Sequence, residues 1–335
     1  MRITRVALVL SAFGVCAQAA PSHLSAAQEQ PADINVQNLA DLQLDAKLRE
    51  ELEGAMERRD YSTAETILVS EAERDPKSVR GAKLLSVAGG VFFLDGKYVN
   101  SAIAWKKADA IAPLDERSRF TLSMAYIKLN RRDWARAELE KLVVSGPEKP
   151  LYLYWLARLD YDAQSYTTAV ARLQKVIEMD PKMMRAYDTL GLCYEYLGKP
   201  EEAIKNYNQA VDLNRLQLKR SPWPVVDFAV SLIGVDRLEE AKKNLDEALR
   251  YDAKLPQAQY QLGRVLEMQG NFDAALEALI RASDLDPEYP EPHLALGRIY
   301  HRLGNRQKAE DEIARFQQLQ KTHQASTETP ASLPN

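Results

Sequence analysis

The sequence is poor in most of what a catalytic site or a disulfide-built domain requires. Among 335 residues only Cys16 and Cys193 are cysteines, and only His23, His293, His301 and His323 are histidines. Two such thiols make no disulfide framework. His293 and His301 lie about two helical turns apart with no cysteine and no H-x-x-x-H pairing, so a metal site is not expected. No G-x-x-x-x-G-K-[ST], G-x-G-x-x-G or G-x-S-x-G occurs, which removes the common phosphate-cradling and nucleophile-elbow chemistries. Acidic pairs such as Glu201-Glu202 and Glu239-Glu240 read as charges favoured at helix starts rather than as acid–base pairs. A net charge of −4 leaves no basic balance for nucleic acid. Past the N-terminus no apolar run approaches the roughly 18 residues of a membrane span. The expectation is a non-enzyme without cofactor or metal.

What the chain does have is a period. Ala64, Ser101, Ala135, Ala169, Ala203, Ala241, Ala275 and Ala309 are spaced by 37, 34, 34, 34, 38, 34 and 34 residues. A period of 34 marks stacked helical hairpins, whose function lies in surface rather than in a reactive pocket. Counting each repeat from its first residue, positions 4, 7 and 11 carry one apolar stripe at helical spacing, and positions 17, 20, 24 and 27 a second. Gly96, Gly198, Gly270 and Gly304 sit between them, where the first helix must stop and turn. Position 8 reads Leu52, Gly89, Ser123, Ala157, Gly191, Ala229, Gly263 and Gly297, mostly small residues that let two helices approach. Pro76, Pro113, Pro147, Pro181 and Pro287 end second helices, and Pro150, Pro222, Pro256 and Pro290 open first ones.

The segment Met184 to Gln217, with Tyr187, Leu190, Gly191, Tyr194, Gly198, Ala203, Tyr207 and Ala210 in one frame, resembles the tetratricopeptide repeat superfamily. Pro256 to Tyr289 matches in the same frame. The resemblance implies an all-α fold, a right-handed superhelical α-solenoid of eight helix-turn-helix units over residues 45–322. Repeats begin near 45, 82, 116, 150, 184, 222, 256 and 290. The first is irregular, with Glu51 in a leucine position and Leu52 in a glycine position. The last ends in a charged helix able to act as its own cap. Three extra residues precede Ala82 and four precede Pro222. In the latter stretch, RLQLKRSPWP, a longer helix followed by a Ser221-capped start is expected, with a bend of the superhelix as the alternative.

The N-terminus reads as an export signal, as in exported bacterial proteins of this class. Arg2 and Arg5 precede an apolar run from Val6 to Ala17, and Ala17-Gln18-Ala19 fits a small-x-small cleavage site. Residues 1–19 are expected to be removed, leaving a periplasmic or secreted protein with no transmembrane span. The loss of two arginines would take the net charge from −4 to −6. A retained anchor and lipidation at Cys16 are the alternatives; Phe13-Gly14-Val15 does not resemble a lipobox. Residues 20–44 read as a flexible leader and 323–335 as a disordered tail. Cys193 then stands alone, as a small hydrophobe in a helix interface.

In proteins that resemble this one, first helices line the concave groove through positions 2, 5, 9, 12 and 13. Carried over, this gives Arg117, Phe120, Met124 and Lys128, then Tyr154, Arg158, Tyr161 and Asp162. Arg185, Asp188, Leu192 and Glu195 follow, then Tyr260, Arg264, Glu267, Arg298, His301 and Arg302. Two contact patches are expected: Tyr154, Arg158, Tyr161 and Arg185, and Tyr260, Arg264 and Arg298. None should be needed by a hairpin core. Aromatic and arginine side chains are typical anchors for a peptide. Position 9 is never Asn, so capture of a C-terminal carboxylate by a Lys/Asn clamp is not expected. The leading function is a scaffold that binds an extended peptide or partner protein. The alternative is a structural subunit of an envelope assembly or secretion complex, docked by a solenoid edge. An enzyme would need a convergent polar pocket, which the sequence does not show.

Overall fold

The computed structural model describes residues 42–146 and 148–328, the side chains of 325–328 excepted. Pro147 and the whole proposed export signal lie outside the described residues. Among the described residues there are sixteen α-helices and no strand. The chain divides into two compact units between Leu142 and Val143.

The first unit contains α1 (Ala46–Glu57), α2 (Tyr61–Arg74), α3 (Val79–Leu94), α4 (Tyr98–Asp109) and α5 (Glu116–Lys128). Helix α6 (Arg132–Ser145) straddles the division. The second unit contains α7 (Pro150–Asp162), α8 (Tyr166–Met179), α9 (Met184–Tyr196), α10 (Pro200–Arg215) and α11 (Trp223–Gly234). It continues with α12 (Leu238–Tyr251), α13 (Pro256–Met268), α14 (Phe272–Leu285), α15 (Pro290–Arg302) and α16 (Arg306–Glu328). In the second unit each odd-numbered helix pairs with the next to make a hairpin, and α7, α9, α11, α13 and α15 also touch in succession.

The repeat frame locates the turns. Position 15 adopts a left-handed backbone in all eight repeats: Gly96, Gly198, Gly270 and Gly304 at φ +67 to +79°, and Arg59, Asn130, Gln164 and Asp236 at φ 55 to 61°. Half of these positions tolerate a side chain where glycine is favoured by about 1–2 kcal/mol, because packing of the two flanking helices dictates the turn.

The same frame sets the closeness of the helices. All eight residues at position 20 are buried. A Cβ added at Gly89, Gly191, Gly263 or Gly297 would stand within 2.6–2.8 Å of Trp105, Tyr207, Leu279 or Ile313, the position-24 residue of the same hairpin. Where position 20 is polar, its hydroxyl is satisfied across this contact: Ser101 Oγ donates to the Gly89 carbonyl at 2.8 Å. Gly191→Leu should therefore overpack the α9–α10 contact and cost about 1–3 kcal/mol. Urea unfolding monitored by circular dichroism measures this, and an unchanged midpoint would contradict the packing.

Four boundaries differ from the sequence expectation. The leader does not stay free up to residue 44. Leu42 and Leu44 are buried in the core of the first repeats with Leu52, Leu68 and Leu84. Arg80 holds this segment, with Nε donating to the Leu42 carbonyl at 3.2 Å and Nη2 paired with Glu71 at 2.7 Å. Helix α3 uses the three extra residues to start at Val79, with Ser78 Oγ accepting from Gly81 N at 2.9 Å. At the other end α16 continues to Glu328, into the stretch expected to be a tail. Before α11, the longer helix is α10, at 16 residues. Helix α11 starts at Trp223, and Ser221 Oγ accepts from Trp223 N only at 3.4 Å. Ser221 is held instead by Asn214, whose Nδ2 donates to the Ser221 carbonyl at 2.7 Å while its Oδ1 accepts from Ser221 N at 2.9 Å.

Candidate functional site

In the second unit the first helices α7, α9, α11, α13 and α15 touch in succession, and the period aims positions 5, 9 and 12 of each the same way. The first expected patch is present but is not a surface. Tyr154, Arg158 and Tyr161 are 3%, 7% and 3% exposed, and only Arg185 remains partly open. The cause is the neighbouring repeat. Tyr161 packs edge-on against Tyr166 and against Tyr196 of α9, whose ring stacks on Tyr166 at 4.7 Å. Arg158 lies 5.0 Å over the Tyr161 ring and pairs with Asp162 at 3.0 Å. Tyr154 meets Trp155 edge-on at 5.6 Å. The expectation that these residues lie outside the core is thus corrected: three of them are core.

Behind them is a buried polar layer that the two expected patches did not include. Asp188 and Asp227 are 3% and 8% exposed, and Asn214, Thr189 and Ser231 are buried nearby in sequence. Burial pushes the Asp188 carboxyl well above its ordinary value; Asp227 adds to this and Arg158 opposes it. Glu195 is pushed up to about 7 by burial, against hydrogen bonds from Ser231 and Tyr207 that favour its charge. The Tyr207 hydroxyl donates to Glu195 at 3.0 Å, and the ring of the same tyrosine fills the space beside Gly191. Asp188 and Glu195 are legible at positions 5 and 12. Asp227 has its own signal, a lone acid within the apolar run Pro224-Val225-Val226 and Phe228-Ala229-Val230.

The second expected patch stays partly open, with Tyr260 and Arg264 half-buried and Arg298 exposed. Tyr260 meets Tyr289 edge-on at 5.4 Å, and Arg264 lies 5.9 Å over the Tyr260 ring. Arg264 Nη1 donates to Gln261 Oε1 at 2.8 Å. Arg298 is exposed and pairs with Glu267 of the preceding first helix at 2.9 Å. Tyr289 is the residue the sequence reading missed here; it ends a repeat, outside the positions counted as groove-lining. Next to this patch Arg302 lies 4.8 Å over the Phe272 ring, and His293 Nδ1 is 2.7 Å from Glu312.

Cys193 is fully buried and its thiol is pushed up to about 12 by burial, so it packs as a small apolar group. Among the described residues no three His, Cys, Asp or Glu side chains are placed to hold a metal ion, and no helix is long and apolar enough to cross a membrane.

A TPR repeat family matches residues 268–304 and a tetratricopeptide repeat family residues 256–279. The family of anaphase-promoting complex, cyclosome, subunit 3 matches residues 139–210. The small glutamine-rich tetratricopeptide repeat-containing protein 2 of Saccharomyces cerevisiae is 27% identical over 111 residues, 33% of this chain and 29% of that protein. The match spans less than a third of the relative's length. A tetratricopeptide repeat protein from Parabacteroides merdae superposes with a TM-score of 0.60 at 15% identity, over 83% of this chain and 99% of that one. PilW, a type IV pilus biogenesis factor, gives 0.55 at 17% identity, over 60% and 92%. The pilF protein of Pseudomonas aeruginosa gives 0.53 at 19%, over 63% and 94%. At such identities these likenesses speak to the fold. The chain is an α-solenoid of tandem helical hairpins, and its residues 256–304 match tetratricopeptide repeat families. Solenoids of this class are protein-interaction scaffolds.

Proposed function

We propose that the protein is an exported scaffold that holds an extended peptide segment of a partner protein against α13 and α15. The observation that carries this reading is the patch of half-buried Tyr260, Tyr289 and Arg264 beside exposed Arg298. Its rings offer apolar area at low entropic cost, and its guanidiniums are able to fork onto ligand carboxylates or carbonyls. A double Tyr260→Ala, Arg264→Ala variant should capture its native partner about 1 kcal/mol or more less tightly. Its stability should fall as well, because Tyr260 packs against the apolar cluster of Leu266, Leu296 and Ile299, so capture is compared under conditions where both proteins are folded. Quantitative affinity purification against wild type, paired with a melting curve, reads both. Unchanged capture would transfer the function to an edge of the solenoid, within an envelope assembly. Leu216 and Leu218, 81% and 108% exposed, favour that second reading.

Export rests on Arg2, Arg5 and the Ala17-Gln18-Ala19 site. The mature protein should begin at Ala20 and be found outside the cytoplasm. Intact mass of native material decides: a mass that retains residues 1–19 removes the claim, and a lipid adduct on Cys16 replaces cleavage there with lipidation.

A further inference from the structure

A trough of about 600 Å³ lies between α10 and α12, the second helices of repeats five and six. It does not involve the patch on α13 and α15. Its size is that of a small-ligand or short-peptide site. Its walls are two helix faces at regular spacing. Lys205, Asn208 and Gln209 stand at i, i+3 and i+4 on α10, and Glu240, Lys243, Asn244 and Glu247 at i, i+3, i+4 and i+7 on α12. Ile204 and Phe228, 8% and 7% exposed, give it an apolar floor.

One ion pair bridges the two walls, and local contacts flank it. Arg215 reaches across from α10 and forks onto Glu247 with Nε at 3.0 Å and Nη2 at 2.7 Å, and its Nη1 pairs with Asp212 at 3.0 Å. Arg237 forks onto Glu240 at 2.7 and 2.6 Å. The segment between α10 and α11, which carries the four extra residues of this repeat, is tied by the reciprocal Asn214–Ser221 bonds. Arg215 thus ties the two walls together.

The charge of the lining decides what fits. Four basic residues face two acidic ones, so the trough is net positive by two within a chain of net charge −4. Both carboxylates are already engaged by arginines. Lys205 and Lys243 are exposed and make no hydrogen bond or ion pair within 4 Å, although Lys243 is near enough to Glu240 to favour its charge. Asn208 and Asn244 donate through Nδ2, to Asp212 at 3.3 Å and to the Glu240 carbonyl at 2.9 Å, which leaves their Oδ1 atoms as acceptors. Paired amide acceptors suit the N–H groups of an extended backbone, and the two ammonium groups suit carboxylates on alternate residues of it.

We propose that this trough is a second binding site, which takes an extended acidic peptide segment of a partner protein. The probe is a fluorescein-labelled peptide of alternating Glu and Ser, compared with its Lys and Ser counterpart by fluorescence anisotropy on the full chain. The acidic peptide should bind about tenfold tighter or more, with the preference falling as salt rises. A Lys205→Glu, Lys243→Glu variant should lose about tenfold in affinity for it, with an unchanged circular dichroism spectrum, since both side chains are exposed. An Arg264→Glu, Arg298→Glu variant should bind it like wild type. Equal binding of the two peptides overturns the proposal. So does full affinity in the double-lysine variant. If the Arg264 and Arg298 variant alone loses binding, acidic peptides belong to the α13–α15 patch and the trough is not a site.

Discussion

Tyr154→Ala should destabilise the second unit by about 3–5 kcal/mol, the range for removing a large aromatic from a core. On sequence alone the same substitution was expected to leave stability nearly untouched. The ring is 3% exposed, lies against Trp155, and borders Arg158, Thr189, Arg185 and Asp188. Its truncation leaves a cavity beside a buried guanidinium, and Arg158 already has an Nη1 with no hydrogen-bond partner. Tyr154→Phe separates ring from hydroxyl. It keeps the ring and its packing and should cost far less than Tyr154→Ala. Urea unfolding with fluorescence and circular dichroism measures both. A Tyr154→Ala protein within 0.5 kcal/mol of wild type, as a surface change would be, would put the residue back in an open groove. Loss of partner binding by this variant would report a damaged core rather than a lost contact.

The second large effect is a pH dependence set by Glu195. Burial raises its carboxyl from 4.5 to about 7, and Asp188 moves in the same direction. The folded protein therefore holds protons that the unfolded chain releases. Stability is highest at the acid end of this window and falls as pH rises from about 4.5 through about 7, then levels off. A shift of this size for Glu195 corresponds to about 3 kcal/mol lost at pH 8, at roughly 1.4 kcal/mol for each pKa unit. Glu195→Gln keeps an acceptor for the Tyr207 and Ser231 hydroxyls and removes the charge. The variant should match wild type near pH 5 and exceed it by about 3 kcal/mol at pH 8. Chemical denaturation at the two pH values is the check. Parallel pH profiles for wild type and Glu195→Gln would mean that this carboxylate is ionised and solvated in the folded state. Arg158, Asp227, Tyr207 and Ser231 are the groups that bear on the Asp188 and Glu195 pair.

The sequence by itself determined the repeat. Turn positions, close-packed positions and helix starts follow from which residues are small, which are glycine and which are proline, and these are local steric rules that recur every 34 residues. The start of α5, α7, α9, α13 and α15 at the first residue of its repeat is a consequence. Even Arg59, Asn130, Gln164 and Asp236, which lack glycine's freedom, fall in line because the flanking helices impose the turn. What only the tertiary structure decided is which inward-facing residues meet water. Position 5 carries both Tyr154 and Tyr260, and position 9 both Arg158 and Arg264. The first of each pair is core and the second is partly open. A sequence period fixes the direction in which a side chain leaves its own helix. It does not fix how far the next repeat's side chains reach over it: Tyr196 covers Tyr161, while Arg298 turns aside to Glu267 and leaves Tyr260 partly open. The trough between α10 and α12 was likewise out of reach, because it depends on how the four extra residues before α11 are folded and tied, and on Arg215, which finds its partner 32 residues away.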